Sequence, residues 1–281
     1  MKSIKRYIIS FVVFLLIICG ISGAIRQYIV YERPNANLFN KNINKHILVL
    51  GDSQLECGID EDVFKVAFNR CKSSDSYLFC YAKLKKMFQM NPQIDVLLLS
   101  FSSTSMRKDV DTRMHTEGIE KRLLLYAPLL TKDDLKWFSC KEIKENIVSF
   151  AFPPIWDVKP ETRGGFNPRP VEKIHLFSKN KKPVISNYRN ECAVYYLRKI
   201  VQFCKQKKIK LFFVTSPTYN GHSKNRYWIE WKKINYPYIS LFNFEAHYKG
   251  RTELFYDQMH LNTNGAKIFS KILYLRVRAF I

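Results

Sequence analysis

From Tyr7 to Ile25 the chain reads YIISFVVFLLIICGISGAI, nineteen residues without a charge. At helical rise this run spans about 28 Å, the hydrocarbon thickness of a bilayer, and it predicts one N-terminal transmembrane helix. Residues 30–45 turn polar, with Pro34 and several asparagines, and predict a linker. His46–Leu50 is a short apolar run stopped by Gly51-Asp52-Ser53, the pattern of a buried parallel strand. A second short strand is predicted near Val66–Asn69. Tyr77–Met90 has helical spacing through Leu78, Tyr81, Leu84 and Phe88, and stops before Asn91-Pro92. Ile94–Phe101 (IDVLLLSF) is the clearest buried strand.

The middle of the chain is less regular. Helical patterns over Gly118–Leu130 and Lys132–Phe150 precede a stretch punctuated by Pro153-Pro154, Pro160, Gly164-Gly165, Pro168 and Pro170. Long irregular segments inside compact domains commonly form lids or binding loops, so this insertion is expected to shape a substrate site. Regularity returns with a helix over Glu191–Lys207, a strand over Ile209–Thr215, a strand over Tyr238–Phe244 and a helix over Gly265–Phe280. Strands alternating with helices predict an α/β fold, a parallel sheet with helices on both faces. The organisation expected is a cytoplasmic stub and transmembrane anchor (1–28), a linker (29–45) and one domain (46–281) with an irregular insertion around 106–190.

Lys2, Lys5 and Arg6 flank the apolar run on its N-terminal side. The positive flank predicts a single-pass protein with a cytoplasmic N-terminus and an extracytoplasmic domain, periplasmic or at the cell surface. Ser22 and Ala24 offer the alternative of a cleaved signal peptide, against which the length of the run argues. Ile18 is bulky where lipid attachment at Cys19 would need a small residue. Composition excludes a disordered or fibrous chain: of 281 residues 47% are hydrophobic and 25% charged. A mean hydropathy of −0.22 excludes a polytopic membrane protein.

Charge is the unusual feature. Forty-six Lys+Arg against 24 Asp+Glu leave +22, favouring polyanionic surroundings. A compositional bias towards Lys, Asn, Ile, Phe and Tyr accounts for the excess equally well, since the basic residues are scattered. Export turns the expectation away from nucleic acid and towards membrane surfaces or anionic glycans. It also permits disulfides among Cys57, Cys71, Cys80, Cys140, Cys192 and Cys204, with free buried thiols as the equal alternative.

Two short patterns carry chemistry. Gly51-Asp52-Ser53 follows a strand, where α/β proteins place their active sites. Some two hundred residues on stands Asp257-Gln258-Met259-His260, followed by Leu261-Asn262-Thr263-Asn264-Gly265-Ala266. A serine hydroxyl needs a base to become a nucleophile. A histidine serves near neutral pH when a carboxylate fixes its tautomer. Three residues of separation let Asp257 and His260 face Ser53 from one turn, and Gly265 is read as easing a tight turn before the last helix. Asp52 is read as structural. His46, His115, His175, His222 and His247 show no metal-ligand spacing, and no metal or other cofactor is expected. The aromatic stretch 226–238 (RYWIEWKKINYPY) is read as core or rim, with sugar stacking as the alternative.

The strand-end Gly-Asp-Ser and the tail DQMHLNTNGA resemble the SGNH hydrolases, the GDSL lipases and esterases, over residues 45–281. That resemblance implies a flavodoxin-like three-layer α/β/α fold, Ser53 as nucleophile, His260 as general base and acid, and Asp257 as its orienting partner. The anchored layout resembles family members that modify cell-surface polysaccharides, and more remotely the D-alanyl-lipoteichoic-acid biosynthesis proteins. The function implied is a serine esterase or O-acyltransferase acting on acyl, above all acetyl, esters of cell-envelope glycans, with envelope-assembly partners.

Two departures stand against the family pattern. Asn69 to Ser74 contains no glycine where the family's second block supplies an oxyanion amide, and Ser102 stands where its third block has an asparagine. Losing one oxyanion donor costs about 3 kcal/mol of transition-state stabilisation. The departures favour, as the alternative, a non-catalytic scaffold or binding protein in an envelope assembly.

Overall fold

The computed structural model describes residues 2–31, 44–106, 126, 129–138, 164–171, 191–219 and 225–280. The linker predicted over 29–45 and the insertion over 106–190 lie mostly outside them, as do Cys140, His115, His175 and His222. Two compact units divide the chain: Met1–Lys41 with Arg113–Arg163, and Asn42–Thr112 with Gly164–Ile281. The first contains helix α1 (Lys2–Tyr31), which runs beyond the uncharged segment. Its Ile4–Ile25 portion has a mean hydropathy of 2.8 and is long and apolar enough to cross a membrane or to serve as a signal sequence. Most of the two helices predicted between Gly118 and Phe150 falls outside the described residues; Lys132–Leu135 forms a single turn.

The second unit is an α/β fold. Its five strands, β1 (Ile47–Leu50), β2 (Ala67–Asn69), β3 (Val96–Ser100), β4 (Lys210–Thr215) and β5 (Ser240–Asn243), stand in the order β2-β1-β3-β4-β5. Every neighbouring pair is parallel, with Leu50 opposite Leu99 and Ser100 opposite Val214. This is the flavodoxin-like order, in which the sheet changes winding direction between β1 and β3 and leaves a crevice beyond their carboxyl ends.

Alternation along the strands feeds two cores. Ile47, Val49, Val96, Leu98, Phe212 and Val214 pack with Phe269, Leu273 and Val277 of the last helix, α6 (Thr263–Val277). Leu48, Leu50, Leu97, Leu99 and Phe213 are buried on the other face. There α3 (Tyr77–Met90) and α4 (Glu191–Lys207) pack through Tyr81 on Tyr196 and Phe203, and Phe88 on Phe203. Each fully buried aliphatic side chain contributes about 1.5–3 kcal/mol, which is why continuous apolar runs become central strands.

The aromatic stretch fits its reading as core or rim, and one expectation, at Gly265, changes. The aromatic stretch 226–238 forms most of a helix, α5 (Asn225–Asn235). Trp228 is buried and meets Trp231 edge-on, while Tyr227 and Tyr238 are exposed. The last helix begins at Thr263, with Asn262 as its N-cap, so Gly265 lies inside it. What Gly265 supplies is space, since a Cβ there would lie 2.1 Å from the Leu254 carbonyl oxygen. As for the cysteines, Cys57, Cys71, Cys80 and Cys204 are buried thiols outside any disulfide. Burial pushes Cys204 up to about 12.

Candidate active site

Ser53 is the first residue of α2 (Ser53–Gly58), a short helix springing from the end of β1. Asp52 caps it: its Oδ1 accepts from the Gln54 amide at 3.1 Å. Such a cap contributes about 1 kcal/mol. Asp52 is buried and also faces the hydroxyls of Ser100 (3.5 Å) and Ser105 (3.4 Å). Burial raises its pKa above 3.8, against the opposing pull of the Gln54 amide, of His260 and of the two hydroxyls. Asp52 therefore positions the strand-to-helix turn, as the sequence reading expects.

The far end of α2 is held from several sides. Asn69 is fully buried and donates through Nδ2 to the Leu55 and Ile59 carbonyls at 3.3 and 3.0 Å, while its Oδ1 accepts from the Cys71 amide. Ser270 of α6 bridges the Gly58 carbonyl and the Asp60 amide. The buried Glu56 accepts from the amide and hydroxyl of Ser73. Neither Asn69 nor Glu56 could be picked out by local pattern, because their partners are distant along the chain or on its backbone.

Asp257 and His260 come from one tight loop. An antiparallel bridge between Phe255 and Leu261 closes it, and the Tyr256 amide donates to the His260 carbonyl at 3.0 Å. Asp257 Oδ1 accepts from the Met259 and His260 amides at 2.7 and 2.9 Å, the backbone-mimicking turn that aspartate favours. Its Oδ2 lies 2.8 Å from His260 Nδ1, and His260 Nε2 lies 2.9 Å from Ser53 Oγ.

The structure thus brings Ser53, His260 and Asp257 into one hydrogen-bonded line across 207 residues of sequence. Burial pushes the Asp257 pKa up, but hydrogen bonds from the His260 ring and from the Met259 and His260 amides outweigh it and hold the carboxyl below 3.8. An ionised carboxylate only accepts, which places the imidazole proton on Nδ1 and leaves Nε2 to accept from the Ser53 hydroxyl. That arrangement is suited to general-base activation of a serine.

The oxyanion side differs from the family pattern. The Ser53 amide, in the first turn of α2, donates to no described group. Ser102 is buried in the loop after β3, its hydroxyl 3.2 Å from that of Ser105 and accepting from the Ser105 amide at 3.3 Å.

A residue absent from the sequence reading also reaches this region. Gly165 donates to the Cys71 carbonyl and Asn167 to the Glu56 carbonyl, laying the segment 164–171 along α2. Gly164 has a φ of 107°, and a Cβ there would lie 2.6 Å from the Cys71 carbonyl oxygen. Farther along this segment, Arg169 Nε stands 3.4 Å from Cys57 Sγ and its guanidinium carbon 5.7 Å from the centre of the Tyr256 ring. Its signal in sequence was confined to its place between Pro168 and Pro170.

No protein-family model matches the chain, and no curated protein matches it. Among solved structures, it is similar to a Streptococcus pneumonia protein described as a candidate platelet activating factor. That match has 11% identity and a TM-score of 0.46, and covers 98% of this chain and 99% of the other. A Bacteroides fragilis NCTC 9343 protein described as a candidate acylhydrolase matches at 12% identity and a TM-score of 0.41, covering 90% of this chain and 97% of that one.

Proposed function

We propose that this chain is an SGNH-type serine hydrolase or acyltransferase acting on carboxylic esters, tethered to a membrane by α1 with its α/β domain on the extracytoplasmic side. The observation carrying the reading is the hydrogen-bonded line Ser53–His260–Asp257, with steps of 2.9 and 2.8 Å. Ser53 Oγ attacks the ester carbonyl carbon while His260 Nε2 takes its proton. The tetrahedral intermediate collapses as His260 returns that proton to the leaving alkoxide, giving an acyl-serine and an alcohol. Water or a sugar hydroxyl, deprotonated by His260, then attacks the acyl-serine and regenerates Ser53. The Ser53 amide is the oxyanion donor of this scheme, with Ser102 as a second donor once its hydroxyl turns from Ser105.

Acetyl esters of cell-envelope glycans are the substrate class we assign. An apolar N-terminal helix and a net charge of +22 support it, since both favour work beside anionic surface polymers. The test is labelling of the chain with a fluorophosphonate, wild type beside Ser53→Ala and His260→Ala. Labelling that requires both residues is the expected result. The engagement of Ser102 with Ser105 favours a second reading, a non-catalytic scaffold. That reading predicts a well-folded wild type that takes up no probe.

A further inference from the structure

We propose that Arg169 is a specificity residue of this site, selecting esters that carry an anionic group, carboxylate or phosphate, close to the reacting carbonyl; the inference rests on the serine acyl-transfer reading above. Cys57, whose Sγ meets Arg169 Nε at 3.4 Å, follows Ser53 by four residues on α2. Residues so spaced share a helix face about 6 Å apart along the axis. On its other side, the Arg169 carbonyl accepts from the Thr263 amide at 2.9 Å and the Thr263 hydroxyl at 2.7 Å, three residues beyond His260. The guanidinium also stands beside the ring of Tyr256, next to Asp257. Arg169 is therefore tied to both elements that deliver the triad.

Among the described residues its charge is met only at a distance, by Glu56. No carboxylate among the described residues lies within 4.0 Å of it, and its two terminal nitrogens donate to none of them. Its polar side-chain partner is a thiol that burial keeps protonated. By contrast Arg251 holds Glu253, Lys83 holds Asp75 and Lys233 holds Glu230. A half-buried guanidinium held one helical turn from the nucleophile, with terminal nitrogens that donate to no described residue, matches a carboxylate or phosphate oxygen pair. Because the anion could sit on either half of the ester, both halves must be probed.

The experiment compares two matched pairs on the full chain in detergent. 4-Nitrophenyl hemisuccinate against 4-nitrophenyl butyrate places the charge on the acyl half. 2-Acetoxyethyl phosphate against 2-methoxyethyl acetate places it on the alcohol half. On at least one pair, Arg169→Gln is expected to lower the anionic-over-neutral ratio of kcat/KM about tenfold or more, expressed in KM for the anionic member, with Arg169→Lys recovering part of it. The wild-type preference should also shrink as KCl rises from about 0.05 to about 0.5 M. Equal losses for both members of each pair would make Arg169 a clamp for segment 164–171 and overturn the inference. Wild-type hydrolysis of neutral esters without any anionic preference overturns it too, leaving the acyl-transfer reading intact. Failure of the wild type on all four esters, together with absent fluorophosphonate labelling, removes both.

Discussion

A Cβ added to Gly51 would lie 2.4 Å from the Cβ of Ser100. These residues follow the paired Leu50 and Leu99 at the ends of β1 and β3, the strands that bound the sheet's crevice. The glycine that precedes Asp52-Ser53 is thus required by close approach of one strand to its neighbour. Gly51→Ala should destabilise the domain by about 3 kcal/mol, the upper range for overpacking a filled interior. The overlap is with the Ser100 Cβ, but the φ of 159° at Gly51 also strains any side chain there, so Gly51→Ala with Ser100→Gly should recover only part of that loss. Denaturant midpoints of the two single variants and the double variant decide it; additive losses would refute the steric explanation.

Asp257→Asn separates orientation from packing. The amide oxygen can still accept from the Met259 and His260 backbone, so the loop should keep its shape. Its NH2, however, would face His260 Nδ1 and drive the imidazole proton to Nε2, where the ring can no longer accept from Ser53. Ester turnover should fall about 10³–10⁴-fold while far-ultraviolet circular dichroism stays unchanged. A loss below tenfold would mean that Asp257 does not set the tautomer.

The carboxylates of Asp52 and Asp257 should leave opposite marks on stability against pH. Asp257 is held below 3.8 when folded, so its contribution is present above that value and is lost as pH falls through its folded pKa. Asp52 is raised above 3.8, so the folded state binds the extra proton and stability declines as pH rises through the window above 3.8. Relative to Asp257→Asn, the wild type should lose ground on acidification below about pH 4. Relative to Asp52→Asn, which keeps an oxygen for the Gln54 amide, it should gain ground on acidification. Urea midpoints across pH 3–7 test both signs, and curves parallel to wild type for either variant would remove that assignment.

What the sequence disclosed follows from where each signal resides. The strand segments ILVL and VLLLS are buried on both faces, so they read as unbroken apolar runs and their places were legible. Helix α5 was not. One of its buried positions is Lys232, whose charged residue type hides a stem lying four residues from Trp228 on the inner face. Gly265 was misread for a related reason: a glycine needed for space looks the same as one needed for a turn. Asp257 and His260 were readable together because one loop holds both. Asn69, Glu56 and Arg169 act on backbone or side chains far away in sequence, which only the folded chain brings near.

Asn262 joins the loop of Asp257 and His260 to helix α6, and each of its side-chain atoms has a task. Oδ1 accepts from the Gly265 amide at 3.0 Å, while Nδ2 donates to the Glu253 and Phe255 carbonyls at 2.8 and 3.4 Å. Alanine would lose the cap and leave the part-buried Glu253 carbonyl and the buried Phe255 carbonyl without this donor, a cost of about 2–3 kcal/mol. Aspartate would keep the cap but press a second acceptor against the same two carbonyls. Since Asn262 is almost fully buried, that repulsion has little water to screen it. Asn262→Asp should therefore melt below Asn262→Ala, although aspartate is among the best N-capping residues. The same variant should lose fluorophosphonate labelling at temperatures where it remains folded, because the displaced loop carries His260. Equal melting temperatures for the two variants would show that capping alone, and not donation to the loop, is what Asn262 provides.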